Sequence, residues 1–87
     1  MTVKKKFVLR ELMGEFVLVP CGDTVTDNNG LFMMTETGAY IWKILPEVRD
    51  EAEILTRLLA EYDVTEQQAK DDIEAFLAKL RTYDIID

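Results

Sequence analysis

The 87-residue chain contains no histidine. That removes the commonest general base, the commonest metal ligand and any Ser-His or Cys-His nucleophile pair. It has one cysteine, Cys21, which cannot form an internal disulfide; Gly22 and Asp23 follow it and supply no cation to lower its pKa. An inert thiol is expected. No apolar run approaches the roughly 18 residues that span a bilayer. The N-terminal MTVKKKFVLRELMGEF is charged and broken by glycine where a signal peptide would carry its apolar core. These absences point to a cytosolic (cytoplasmic) setting with no membrane association. The stretch MTETGAYIW, residues 34–42, follows a strand-like run but is no phosphate loop, because it has a single glycine and no Lys-Ser/Thr after it.

What remains is a composition of 48% hydrophobic and 31% charged residues, ordinary for a globular domain. Eighty-seven residues suffice for one domain, residues 1–87, which buries only about 60–65% of its unfolded surface. The net charge of −7 is uneven. Residues 1–43 balance five bases with five acids, whereas residues 44–87 set five bases against twelve acids. A nucleic-acid binder needs a basic face, and the helical half offers the opposite.

Phe7-Val8-Leu9-Arg10-Glu11-Leu12 alternates as a strand with Phe7 and Leu9 on one face. Met13-Gly14-Glu15 is a turn, and Phe16-Val17-Leu18-Val19 a continuous run suited to a central strand, closed by Pro20. After a loose segment ending in the turn dipeptide Asn29-Gly30, Leu31-Phe32-Met33-Met34 makes a third short strand. From Thr35 the period becomes helical. A first helix ends near Pro46. A second begins at Asp50, with Glu53 in capping-box spacing. A third begins after Thr65, with Gln68 in the same spacing, and carries Ala69, Ile73, Phe76, Leu77 and Leu80 on one face. Ile85 and Ile86 return the tail to the core. The order β-β-β-α-α-α is α+β, with helices covering one face of a three-stranded sheet.

The acidic groups Asp50-Glu51-Glu53 and Asp71-Asp72-Glu74 lack EF-hand spacing. Solvated helix faces and helix starts account for them, because acids in a first turn contribute about 0.3–1 kcal/mol through the helix dipole. No metal, cofactor or catalytic group is expected. Thr35 or Thr37 can cap the first helix, Gly38 would let that helix approach the sheet, and Trp42 serves as a packing joint. The third strand is more informative. Alternation sends one pair, Phe32 with Met34 or Leu31 with Met33, into the core and leaves the other outside. An exposed apolar edge is an aggregation hazard unless a partner strand is meant to add there. Methionine suits such a contact because its side chain adapts to varied ligands.

GEFVLVP, then NGLFMMTETGAYIW, then AEYDVTEQQAKDDIEAFLAKLR together resemble the PqqD-like family over nearly the whole chain, from Phe7 to Ile86. These are small winged helix-turn-helix-like domains, also called RiPP recognition elements. The resemblance implies a non-catalytic peptide chaperone. Such a protein binds the leader of a ribosomally made precursor peptide and presents the precursor to a modifying enzyme, often a radical SAM enzyme. The leader would add as an antiparallel strand to Leu31, Phe32, Met33, Met34 and Thr35. The facing helix wall would come from Gln68, Ala69, Asp72, Ile73, Phe76 and Lys79. Thr37, Gly38, Ile41 and Trp42, the TG-x-x-IW match, would be structural. Asp72 could pair with a basic leader residue, although exposed pairs contribute only ~0–1 kcal/mol. A chain of this length suggests delivery in trans to a separate enzyme.

The competing reading is a winged-helix transcription or adaptor domain that binds DNA. Its second helix would then have to read bases with Arg57 set among acids, which is poor chemistry for the task. A small enzyme has no residues to support it. The expected solution state is a monomer, with edge-to-edge dimers at high concentration.

Overall fold

The computed structural model describes residues 1–22 and 32–87. Three strands come first: β1 (Phe7–Leu12), β2 (Glu15–Pro20) and β3 (Phe32–Met34). Three helices follow: α1 (Glu36–Ile44), α2 (Glu51–Glu61) and α3 (Glu66–Thr82), with a 3₁₀ turn, Leu45–Glu47, after α1. The architecture is the expected α+β. The expected Asn29-Gly30 turn and Leu31, the expected first residue of the third strand, lie outside the described residues.

The sheet is antiparallel in the order β1-β2-β3. Leu12 pairs with Glu15, so Met13 and Gly14 form a two-residue hairpin loop. Both have positive φ (53° and 82°), as a type I′ turn requires. Phe7, Leu9, Leu18, Phe32 and Met34 share the inner face against the helices. Leu18, at the centre of the middle strand, is fully buried. Val17 is also buried but belongs to the opposite face, beside Arg10 and Met33, which explains the unbroken apolar run in β2.

Each helix starts where a side chain can take up the orphan amides of its first turn. Thr35 Oγ1 accepts from the Gly38 amide at 3.1 Å, and Asp50 Oδ1 from the Glu53 amide at 2.9 Å. Thr65 and Gln68 complete a reciprocal capping box. At Asp50 the expected reciprocity is shifted by one residue, because the Glu53 carboxylate accepts from the amide of Arg49. The apolar stripes of the helices then close one core, in which Ile41, Leu45, Ile54, Leu58, Leu77 and Ile85 have no exposed surface. Trp42 is half-buried and meets the Phe7 ring edge-on at 6.3 Å.

The end of α3 is fixed by a Schellman arrangement in which the Ile85 amide donates to Leu80 O (2.8 Å) and the Asp84 amide to Arg81 O (3.0 Å). Asp84 takes the left-handed position (φ 58°) usually given to glycine. The N-terminal residues run alongside this terminus. The Lys4 amide donates to Ile85 O, Lys4 Nζ to the Asp84 carboxylate at 2.6 Å, and Lys5 Nζ to Tyr83 O at 3.0 Å. Lysines at a helix C-terminus also meet the negative end of its dipole.

Candidate functional site: the cleft between β3 and α3

β3 uses one edge to pair with β2, and no described strand pairs with the other. Backbone N–H and C=O groups on that side are therefore available to an incoming chain. α3 stands beside this open edge, and between them lies a cleft of about 220 Å³ lined mainly by apolar atoms. That is smaller than the roughly 300–1,000 Å³ of pockets that enclose whole drug-sized ligands, and suits one or two side chains of a longer molecule. Leu18 and Leu80 form its buried floor. Phe32, Met34 and Phe76 are half-buried walls, while Met33, at 52% exposure, stands at the rim on the outer side of the sheet.

The cleft is built from side chains that hold one another. Phe32 packs edge-on against Phe7 (5.5 Å) and against Tyr83 (4.6 Å), and Lys79 Nζ lies 5.6 Å from the centre of its ring. Phe76 is seated on Gly38. A Cβ built there would lie 3.6 Å from the Phe76 ring and 3.3 Å from Thr35 Oγ1. The expectation that Gly38 lets the helix approach the sheet is thus modified: its bare face meets α3 and the helix cap. Thr35 and Thr37 carry the polar end of the cleft, their hydroxyls 3.1 Å apart.

Of the expected site residues, Phe32, Met33, Met34, Thr35, Asp72, Phe76 and Lys79 all border this one cleft. Ala69 and Ile73 do not; they are buried in the core. Gln68 is exposed one turn beyond the cleft, committed to the capping box with Thr65. Leu31 lies outside the described residues. Ala75 and Tyr83 complete the helix side and were not anticipated, although Asp72, Phe76, Lys79 and Tyr83 follow helical spacing and could have been found by continuing that stripe.

A second cleft, of about 370 Å³, lies between α2 and α3, but Glu51, Gln67, Lys70 and Glu74 give it a polar rim and it borders no strand. Among the described residues no group of three acids or cysteines could hold a metal ion, and no helix is long and apolar enough to cross a membrane.

Two of three comparisons with known proteins give a match. A search of curated protein sequences gives no match. Among solved structures, the fold resembles "TbiB1 in Complex with the TbiA(beta) Leader Peptide", with a TM-score of 0.71 and 24% identity over 100% of this chain and 95% of that one. At that identity the likeness establishes the shared fold. The family model for Coenzyme PQQ synthesis protein D (PqqD) matches residues 15–86, which take in β2, β3, all three helices and every described residue of the cleft, and the chain therefore belongs to the PqqD family.

Proposed function

We propose that the protein is a non-catalytic peptide chaperone: residues 1–87 act as one unit that binds the leader of a ribosomally synthesised precursor and presents the precursor to a modifying enzyme. The observation that carries this reading is the open edge of β3 beside an apolar cleft, in a chain of the PqqD family. The leader adds antiparallel to β3. Its backbone completes the unpaired ladder, which tolerates varied sequence, and alternate side chains enter the cleft, which selects among sequences. The complex with a leader peptide recorded for TbiB1, a protein of the same fold, supports a leader peptide as the ligand.

Phe32, Met34 and Phe76 supply apolar walls, with methionine adapting to the entering side chain. Met33 and Thr35 contribute backbone at the edge. Chemistry on the precursor is left to the enzyme, which in this reading is a separate radical SAM protein. Charge argues against the nucleic-acid alternative, since residues 44–87 carry five bases against twelve acids.

The test is a titration of isotopically labelled protein with candidate leader peptides encoded near its gene. Amide resonances of Phe32–Thr35 and of α3 from Asp72 to Tyr83 should move together and saturate. Shifts confined to α2, or none with any such peptide, would reject the assignment.

A further inference from the structure

We propose that the cleft reads its peptide in one direction, as a cation, an apolar residue and an anion at alternate positions from the N-terminal side. This rests on antiparallel addition to β3 as set out above. β3 and α3 run in opposite senses across the cleft: Phe32 lies against Lys79 and Tyr83, near the end of α3, whereas Gly38, just beyond Thr35, lies against Phe76, one turn after Asp72. A chain antiparallel to β3 therefore runs in the same sense as α3. It passes Asp72 first and Lys79 last.

Asp72 and Lys79 are the charged side chains bordering the cleft. Both are exposed, and neither forms an ion pair with another described residue. Elsewhere on α3, Glu66 pairs with Lys70 and Arg81 with Glu51, and Asp71 and Glu74, which also form no ion pair with a described residue, do not border the cleft. Seven residues along a helix separate Asp72 from Lys79 by about 10 Å. Side chains on one face of a strand recur every ~7 Å, so the first and third of three such residues are ~13 Å apart. The flexible stem of Lys79 accommodates the difference. The middle residue then enters the cleft between Phe32, Met34 and Phe76, where an apolar group is favoured. The chemistry selected is a basic residue, an apolar residue two positions on and an acidic residue two positions further.

Three capped synthetic peptides of equal length test this, with identical threonine-rich flanks around Lys-Thr-Leu-Thr-Glu, the reverse Glu-Thr-Leu-Thr-Lys, and the neutral Gln-Thr-Leu-Thr-Gln. Affinity is read from the amide shifts of Phe32–Thr35. At low salt the first order should bind on the order of tenfold tighter than the reverse, with the neutral peptide between, because two exposed attractions replace two repulsions. The gap should narrow as salt screens the charges. The double exchange Asp72→Lys with Lys79→Asp should invert the preference, and Asp72→Asn with Lys79→Gln should abolish it. Equal affinity for the two orders, with the β3 amides still responding, overturns the charge order and leaves strand addition standing. A preference for the reverse order overturns the direction. If no peptide moves those amides, strand addition itself fails and the order falls with it.

Discussion

The sheet has two outer strands, β1 and β3, and neither has a described strand on its outer side. β1 is twice as long, with six residues to three, yet it borders neither cleft. It places exposed Arg10 and Glu11 along the edge, and charge there discourages a passing strand. β3 has no charged residue and lies beside a helix that turns its edge into a groove. An edge alone offers hydrogen bonds to any extended chain; an edge with a groove can also choose among side chains. The difference between the two strands shows why the short one is the candidate site.

Substitutions on the two strands test whether the contrast holds. The largest effect is expected at Leu18→Ala, in the strand that both edges share. A fully buried leucine there should cost about 2–5 kcal/mol, measured as a fall in the denaturant midpoint, with both edges weakened together. Phe32→Ala separates them. It removes the ring that meets Phe7, Tyr83 and Lys79, and should reduce leader affinity by roughly tenfold, about 1.4 kcal/mol, in a titration. Leu9→Ala, on the inner face of β1 and also half-buried, should lower stability while leaving leader affinity intact. Smaller again is a pair of exposed changes. Met33→Lys should weaken leader binding several-fold by desolvating a charge at the edge, with stability altered by less than about 0.5 kcal/mol; Val8→Lys on β1 should leave binding unchanged.

The smallest effect concerns the N-terminal clasp behind Tyr83. The Lys4 ammonium, hydrogen-bonded to Asp84, holds that carboxyl below the usual carboxylate range. A depressed folded-state pKa stabilises the fold above the ordinary value, and this contribution is lost as pH falls through the lowered one. Lys4 is raised in turn, chiefly by the same hydrogen bond, so its share is lost only as pH climbs through that raised value, above the ordinary 10.5. Asp84→Asn should therefore flatten the acid limb of the stability curve slightly, as followed by thermal unfolding from about pH 5, above the ordinary aspartate value, down to about pH 2.

Much of the fold was legible because local signals agreed. Glycine at 14, the Thr65-Gln68 box and the switch from a period of two to 3.6 at Thr35 each fix a boundary without help from distant residues. The N-terminal clasp was not legible, since it depends on backbone bonds such as Lys4 N–H to Ile85 O, which no side-chain pattern encodes. The site was partly legible for a geometric reason. Ala69, Ile73, Leu77 and Leu80 form the core stripe of α3, while Asp72, Phe76, Lys79 and Tyr83 form another rotated from it by roughly 80–100°. Apolar character picks out the first stripe and says little about the second; the family resemblance put members of both stripes on the wall, and Ala69 and Ile73 stand behind it in the core. Gln68 continues the second stripe, but the helix cap takes its side chain.

We propose β3, and not β1, as the strand that accepts the leader. Amide hydrogen exchange with and without a saturating leader peptide tests it most directly. Protection gained in Phe32–Thr35, with the β1 amides Phe7–Leu12 unchanged, is the predicted result. Protection gained along β1, or at neither strand while the peptide is bound, would contradict it.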